Sequence, residues 1–153
     1  MNHKRLTCIF FIRGVNTTNK QKIRRDMLVK RRQLAPSIIT YHIQLIAHNV
    51  CQSPLFLNAS TIFIYLDYLN EVQTGLIIAE SFRLKKTVAI PKIIDNSMKF
   101  FKITSLEDVA RGTFNILEPT TNESITAKKG LMIMPGVAFD KQCHCIGHKK
   151  RIL

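Results

Sequence analysis

Apolar residues along this chain change their spacing from one segment to the next. Over residues 20–34 they are sparse: Ile23, Met27 and Leu28 recur at helical spacing while cations fill most other positions. Positions three and four apart share one face of a helix, so the pattern predicts a basic helix with a narrow apolar stripe. Thr17, Thr18 and Asn19 precede it with the hydroxyl and amide side chains that cap helix starts. Pro36 and Ser37 restart the chain, and Ile39, Ile43, Ile46 and Val50 then fall on one face of a second helix.

Beyond residue 60 the pattern switches. Thr61, Ile62, Phe63, Ile64, Tyr65 and Leu66 form a β-branched and aromatic run that reads as a buried strand. Val72, Leu76, Ile77, Ala79 and Phe82 predict a third helix over residues 71–84, despite Gly75. Residues 87–90 read as a second strand closed by Pro91, and 98–103 as a third. Residues 114–117 form a short segment ending at Glu118 and Pro119. Residues 131–134 form a further strand, ended by Pro135 and Gly136. Helices alternating with short, wholly apolar strands predict an α/β layered sandwich: a mostly parallel central sheet flanked by helices. Ligands in such folds gather beyond the carboxyl ends of the strands. That places 66–71, Pro91 and Lys92, and 135–147 near a site. No linker-like stretch divides the chain. Residues 17–153 are expected to be one domain, with 1–16 a poorly ordered extension.

Charge adds a constraint. Lysine and arginine total 23 against 10 aspartates and glutamates, a net +13. Such an excess attracts anionic partners. It is concentrated near the start, at Lys4, Arg5, Arg13, Lys20, Lys22, Arg24, Arg25, Lys30, Arg31 and Arg32, and again at Lys149, Lys150 and Arg151. A solvated helix face accounts for many of these charges equally well. Cys8, Cys51, Cys143 and Cys145 are scattered outside any secreted disulfide framework, so reduced thiols in the cytosol are expected. The apolar run 6–12 is far below the ~20 residues of a membrane span.

Four groupings carry candidate chemistry. Lys20 and Arg24, four apart on the first helix, can reach one anion together, although basic pairs at this spacing are common on exposed helices. Glu71 follows a strand; it suits a ligand bearing amide or amino donors, and equally a helix N-terminus. Pro135, Gly136, Val137, Ala138, Phe139 and Asp140 form a bend where glycine lets backbone N–H groups approach a ligand, with Asp140 placed to orient the loop or assist a metal. Cys143, His144, Cys145 and His148 are dense in soft ligands, yet no second pair completes a tetrahedron, so no metal site is expected. Neither a Gly-x-Ser-x-Gly elbow nor a Walker-type phosphate loop occurs.

Taken in order, these pieces resemble the 5-formyltetrahydrofolate cyclo-ligase family. The likeness runs from Lys20-x-x-x-Arg24 through Ile62 to Leu66, Glu71, Val88-Ala89-Ile90-Pro91, Met98-Lys99-Phe100 and Phe114-Asn115-Ile116-Leu117-Glu118-Pro119. It ends in Met134-Pro135-Gly136-Val137-Ala138-Phe139-Asp140. The last two strings are the most specific. The resemblance implies ATP- and Mg²⁺-dependent closure of 5-formyltetrahydrofolate to 5,10-methenyltetrahydrofolate by a cytoplasmic, monomeric enzyme, with no nucleic-acid or membrane partner. It implies ATP contacts at Lys20, Arg24, Cys145, Ile146, Gly147, His148 and Lys149, and folate contacts at Arg24, Leu66 and Glu71.

The chain departs from the family where the glycine-rich phosphate loop belongs. Cys145 stands where arginine is expected, and Lys149 and Arg151 replace glycines. The family's aromatic pair and the aspartate for Mg²⁺ are absent, as is the family's last sheet segment. A shortened chain, as from a shifted reading frame, is therefore expected, with weak catalysis and a marginal, aggregation-prone fold. Two other readings stay open: a basic nucleic-acid-binding module, and a folate-binding relic without catalysis.

Overall fold

The computed structural model describes residues 11–12, 19–95, 97–112, 116–126, 129–140, 142 and 144–147. In chain order they form β1 (Phe11–Ile12), α1 (Lys20–Arg32), α2 (Pro36–Cys51), α3 (Pro54–Asn58), β2 (Thr61–Ile64), α4 (Gly75–Arg83), β3 (Thr87–Ile94) and β4 (Ser97–Ile103). There follow β5 (Val109–Arg111), β6 (Leu117–Pro119), β7 (Ser124–Ile125), β8 (Leu131–Ile133), β9 (Ala138–Asp140) and β10 (Cys145–Ile146).

The expected α/β layered sandwich is present. Its central sheet has five strands in the order β7-β4-β3-β2-β8. β2 runs parallel to both neighbours, with Ile62 opposite Val88 on one side and Leu131 on the other. β4 is antiparallel to β3 and to β7. Only residues 95–96 separate β3 from β4, too few for the crossover that a parallel pair needs. Because β2 is paired along both edges and covered on both faces, all four of its residues are buried, which is why its sequence shows no polar alternation. Phe56, Ile62, Ile64, Ile77, Ile78, Val88, Ile90 and Ile103 make the core with Ala47 and Cys51. Each buried aliphatic side chain of this size contributes about 1.5–3 kcal/mol.

Several boundaries differ from the sequence expectation. β2 stops at Ile64, and β8 at Ile133. β3 does not close at Pro91 but continues to Ile94. Its pairing with β2 ends at Ala89, so beyond that point β3 is an edge on one side and tolerates a residue lacking N–H. Glu118 and Pro119 lie inside β6 rather than after it; Phe114 and Asn115 are outside the described residues. On α2, Ala47 and Cys51 face the core, while Ile39 is 38% exposed.

The third helix begins at Gly75, not at residue 71. The segment before it is held in a loop by Thr74, which is buried. Its hydroxyl donates to Tyr65 O (2.9 Å), and its backbone N–H donates to Asp67 Oδ1 (3.1 Å). Those bonds tie the end of β2 to the start of α4. Among the described residues no helix is long and apolar enough to cross a membrane.

Candidate functional site

Three cations of α1 share one face. Lys20, Arg24 and Arg31 are at positions i, i+4 and i+11, within about 40° of one another around a helix of 3.6 residues per turn. This face crosses the carboxyl edge of the sheet. Arg24 Nε donates to Gly147 O at 2.8 Å. Arg31 Nη1 donates to Asn70 O at 3.1 Å, and Nη2 to Gly136 O at 3.1 Å and Val137 O at 3.2 Å. β2 and β8 are adjacent and parallel, so the loops that follow them emerge side by side. Arg31 joins those two loops. Lys20 is exposed at the helix start, one turn from Arg24.

The loop after β2 is compact. Tyr68 N–H donates to Glu71 Oε2 (3.1 Å), and Glu71 N–H donates to Tyr68 O (3.2 Å). Leu69, between them, has φ 52° and is 81% exposed, a left-handed conformation that costs a non-glycine residue about 1–2 kcal/mol. Glu71 is therefore a loop carboxylate, and the helix-end reading of it fails. It lies within electrostatic reach of Arg31 and Tyr65. Burial lowers the Arg31 pKa, with Tyr65 and Glu71 acting the other way. Burial, followed by the charges of Glu71 and Asp67, pushes the Tyr65 phenol well above its ordinary value, with Arg31 opposing. Tyr65 is thus a neutral donor, and its hydroxyl donates to Val72 O at 2.8 Å.

Two clefts flank this loop. One, of about 150 Å³, has apolar walls that include Leu34, Ile39, Ile43, Ile46 and Val72, with Arg31, His42, Asn70, Glu71 and Gln73 as its polar groups. The other, about 450 Å³, is bounded by Thr40, Gln44, Asp67, Gln73 and Leu76. Apolar walls with one acid and one guanidinium suit a flat heteroaromatic ring that offers both donors and acceptors.

The bend after β8 leads into the hairpin of β9 and β10. Val137 N–H donates to Ile146 O at 2.8 Å. Asp140 Oδ1 accepts from the backbone N–H groups of Gln142 and His144, each at 2.9 Å, and its Oδ2 is 2.7 Å from His144 Nδ1. Desolvation alone would raise the Asp140 pKa, but the bonds from His144 and Gln142 outweigh it and hold the carboxyl below its ordinary range. Asp140 therefore orients the loop. The described residues contain no group of three or more His, Cys, Asp or Glu able to hold a metal ion, and Asp140 is already taken by three donors. These residues do not fit a protein-built Mg²⁺ site. Burial raises the Cys145 thiol pKa, so Cys145 is neutral and does not replace an arginine's charge.

Of the residues singled out in the sequence, Arg24 and Gly147 touch, and Ile146 lies beside Gly147 in β10. Glu71 lines the smaller cleft together with Arg31. Leu66 packs against the hydrophobic core. His148 and Lys149 are outside the described residues. Arg31 was not among the candidate site residues, although its place seven residues after Arg24 puts it on the same helical face.

Three comparisons bear on this arrangement. The model of the 5-formyltetrahydrofolate cyclo-ligase family matches residues 16–150. A mouse protein named 5-formyltetrahydrofolate cyclo-ligase is 30% identical over 148 residues, spanning 90% of this chain and 69% of the mouse protein. A mitochondrial cyclo-ligase of Arabidopsis thaliana is 26% identical over 159 residues; 84% of this chain covers 57% of that protein. Among solved structures, the 5,10-methenyltetrahydrofolate synthetase of Aquifex aeolicus superposes with a TM-score of 0.78 at 24% identity, over 88% of this chain and 69% of the other. The Mycoplasma pneumoniae synthetase gives 0.63 at 18% identity, over 85% and 71%.

Proposed function

The chain belongs to the 5-formyltetrahydrofolate cyclo-ligase family, and from that premise we propose that it binds 5-formyltetrahydrofolate and ATP at the carboxyl edge of β2 and β8. The reaction is closure to 5,10-methenyltetrahydrofolate. The formyl oxygen attacks the terminal phosphorus of ATP and ADP departs. The bridging amine nitrogen then attacks the activated formyl carbon, loses its proton and expels phosphate. Negative charge moves among phosphoryl oxygens throughout, so preorganised cations and backbone N–H groups provide most of the stabilisation.

One observation carries this reading: α1 brings Arg24 to Gly147 and Arg31 to Gly136, Val137 and Asn70. A cationic helix face thus bridges a bend suited to phosphates and a loop suited to a pterin. In this assignment Lys20 and Arg24 meet the phosphates together with residues 145–149. Glu71 accepts from the pterin's amino and amide donors, and Leu66 supports the loop from beneath. Mg²⁺ enters as the companion of ATP, held by its phosphates. Turnover is slow, because Cys145 provides no cation and Lys149 and Arg151 carry side chains where the family has glycine. The free thiols of Cys51 and Cys145 fit a reducing compartment such as the cytosol.

Calorimetric titration with each ligand tests binding, and formation of methenyl product from Mg-ATP and 5-formyltetrahydrofolate tests turnover. Saturable binding of both with slow product formation supports the proposal. A chain that binds neither overturns it, and product formed as fast as by the mouse protein overturns the slow-turnover part.

A further inference from the structure

Arg31 has the geometry of a clamp between two loops distant in sequence. Its guanidinium donates to one carbonyl in the loop after β2, Asn70 O, and to two in the bend after β8, Gly136 O and Val137 O. Those strands are neighbours, but the β2–β8 ladder ends at Ile64 and Ile133, so that ladder does not join the two loops beyond it. A planar guanidinium with several fixed donors can hold three carbonyls at once; an ammonium, a single mobile point charge, cannot hold the same set in the same geometry. The group is also partly desolvated, which strengthens hydrogen bonds relative to those in water.

We propose that Arg31 is a positioning residue that couples the folate-side loop to the phosphate-side bend, so that filling one sets the placement of the other. The inference rests on the proposed ligand assignment only for which ligand fills which side; the coupling itself is a property of the free protein. Arg31 also borders the smaller cleft beside Glu71, so a ring seated there presses on the clamp directly. Two backbone amides report the two ends. Glu71 N–H, bonded to Tyr68 O, belongs to the same peptide unit as Asn70 O, and Val137 N–H, bonded to Ile146 O, to the same unit as Gly136 O.

The test is amide hydrogen exchange on the full chain, wild type against Arg31→Lys, with Arg32→Ala as a control at an exposed position of the same helix turn. Arg31→Lys keeps the charge and the helix, and its circular dichroism and melting profile establish that it folds. Exchange at Glu71 and Val137 should rise together by about tenfold, as expected for losing charged hydrogen bonds, with β3 and β4 unchanged and Arg32→Ala like wild type. Addition of 5-formyltetrahydrofolate should slow exchange at Val137 in the wild type and not in Arg31→Lys. Loosening of only one loop, or of neither, overturns the clamp. So does folate protection of Val137 that survives Arg31→Lys. If the wild type binds no folate, the ligand assignment fails while the paired loosening in the free protein still decides the clamp.

Discussion

Arg24 and Gly147 are 123 positions apart in the chain, yet Arg24 Nε lies 2.8 Å from the Gly147 carbonyl oxygen. The bond fastens the leading helix to the end of β10. Arg24→Gln should weaken ATP binding by roughly tenfold, the scale of one lost charge-assisted hydrogen bond. Arg24→Lys should recover part of that, since it restores charge but not the directed Nε bond. Calorimetry with ATP checks this. Equal affinity in wild type and Arg24→Gln would remove Arg24 from the nucleotide site.

Glu71 gives a complementary prediction on the other ligand. Its Oε2 accepts from Tyr68 N–H, a bond that a neutral amide can still accept. Glu71→Gln should therefore keep the loop and lose only the charge. Affinity for 5-formyltetrahydrofolate should fall about tenfold, consistent with a charged acceptor being replaced by a neutral one, with ATP affinity unchanged. A parallel loss of both ligands would mean that the loop itself had moved.

Much of this architecture can be read from residue order, and the exceptions have physical causes. α1 and β2 are legible because each repeats one period over enough residues: cations around Ile23 and Met27, then Ile62, Phe63 and Ile64 without a break. β5, β7, β9 and β10 have two or three residues each, too few for any period to emerge, and they exist because a neighbouring strand pairs with them. Val72 and Leu76 mimic a helical repeat ahead of Gly75, but the bonds of Thr74 to Tyr65 and Asp67 keep residue 71 in a loop. Arg24 was visible as half of a basic pair. Arg31 was not, because its three acceptors are backbone carbonyls, which every residue has and no sequence pattern marks.

Two glycines should differ in their tolerance of alanine. A Cβ at Gly130 would lie 2.7 Å from Thr61 O and 2.8 Å from Phe63 Cε2. The first obstacle is the backbone of the buried strand β2, which cannot move without disturbing the sheet. At Gly136 the obstacles are the tip of the Phe139 ring and Cys145 Sγ at 3.1 Å, both side-chain atoms on the half-buried hairpin. Overpacking costs about 1–3 kcal/mol. Gly130→Ala should fall at the upper end and Gly136→Ala at about 1 kcal/mol. Urea denaturation of the two variants ranks them, and the reverse order would show that β2 yields more easily than the bend.

Acid should weaken the fold through two carboxylates with depressed pKa values. Asp108 Oδ2 accepts from Thr104 N–H (2.6 Å), the Thr104 hydroxyl (2.8 Å) and Ser105 N–H (3.1 Å); the Thr104 backbone bond is the largest cause of its lowered pKa. At Asp140 partial desolvation works in the raising direction, and the bonds from His144 and Gln142 exceed it. A carboxyl with a lower pKa folded than unfolded binds fewer protons in the folded state. Its contribution is therefore complete above the unfolded value of about 3.9 and disappears as pH falls through the folded value. Melting temperature should drop as pH falls below about 4. Replacing both with Asp108→Asn and Asp140→Asn should lower the melting temperature at neutral pH and flatten the acid slope. An acid slope as steep in the double variant as in the wild type would assign the acid sensitivity to other carboxylates, such as Glu80, whose bond to Arg83 also depresses its pKa.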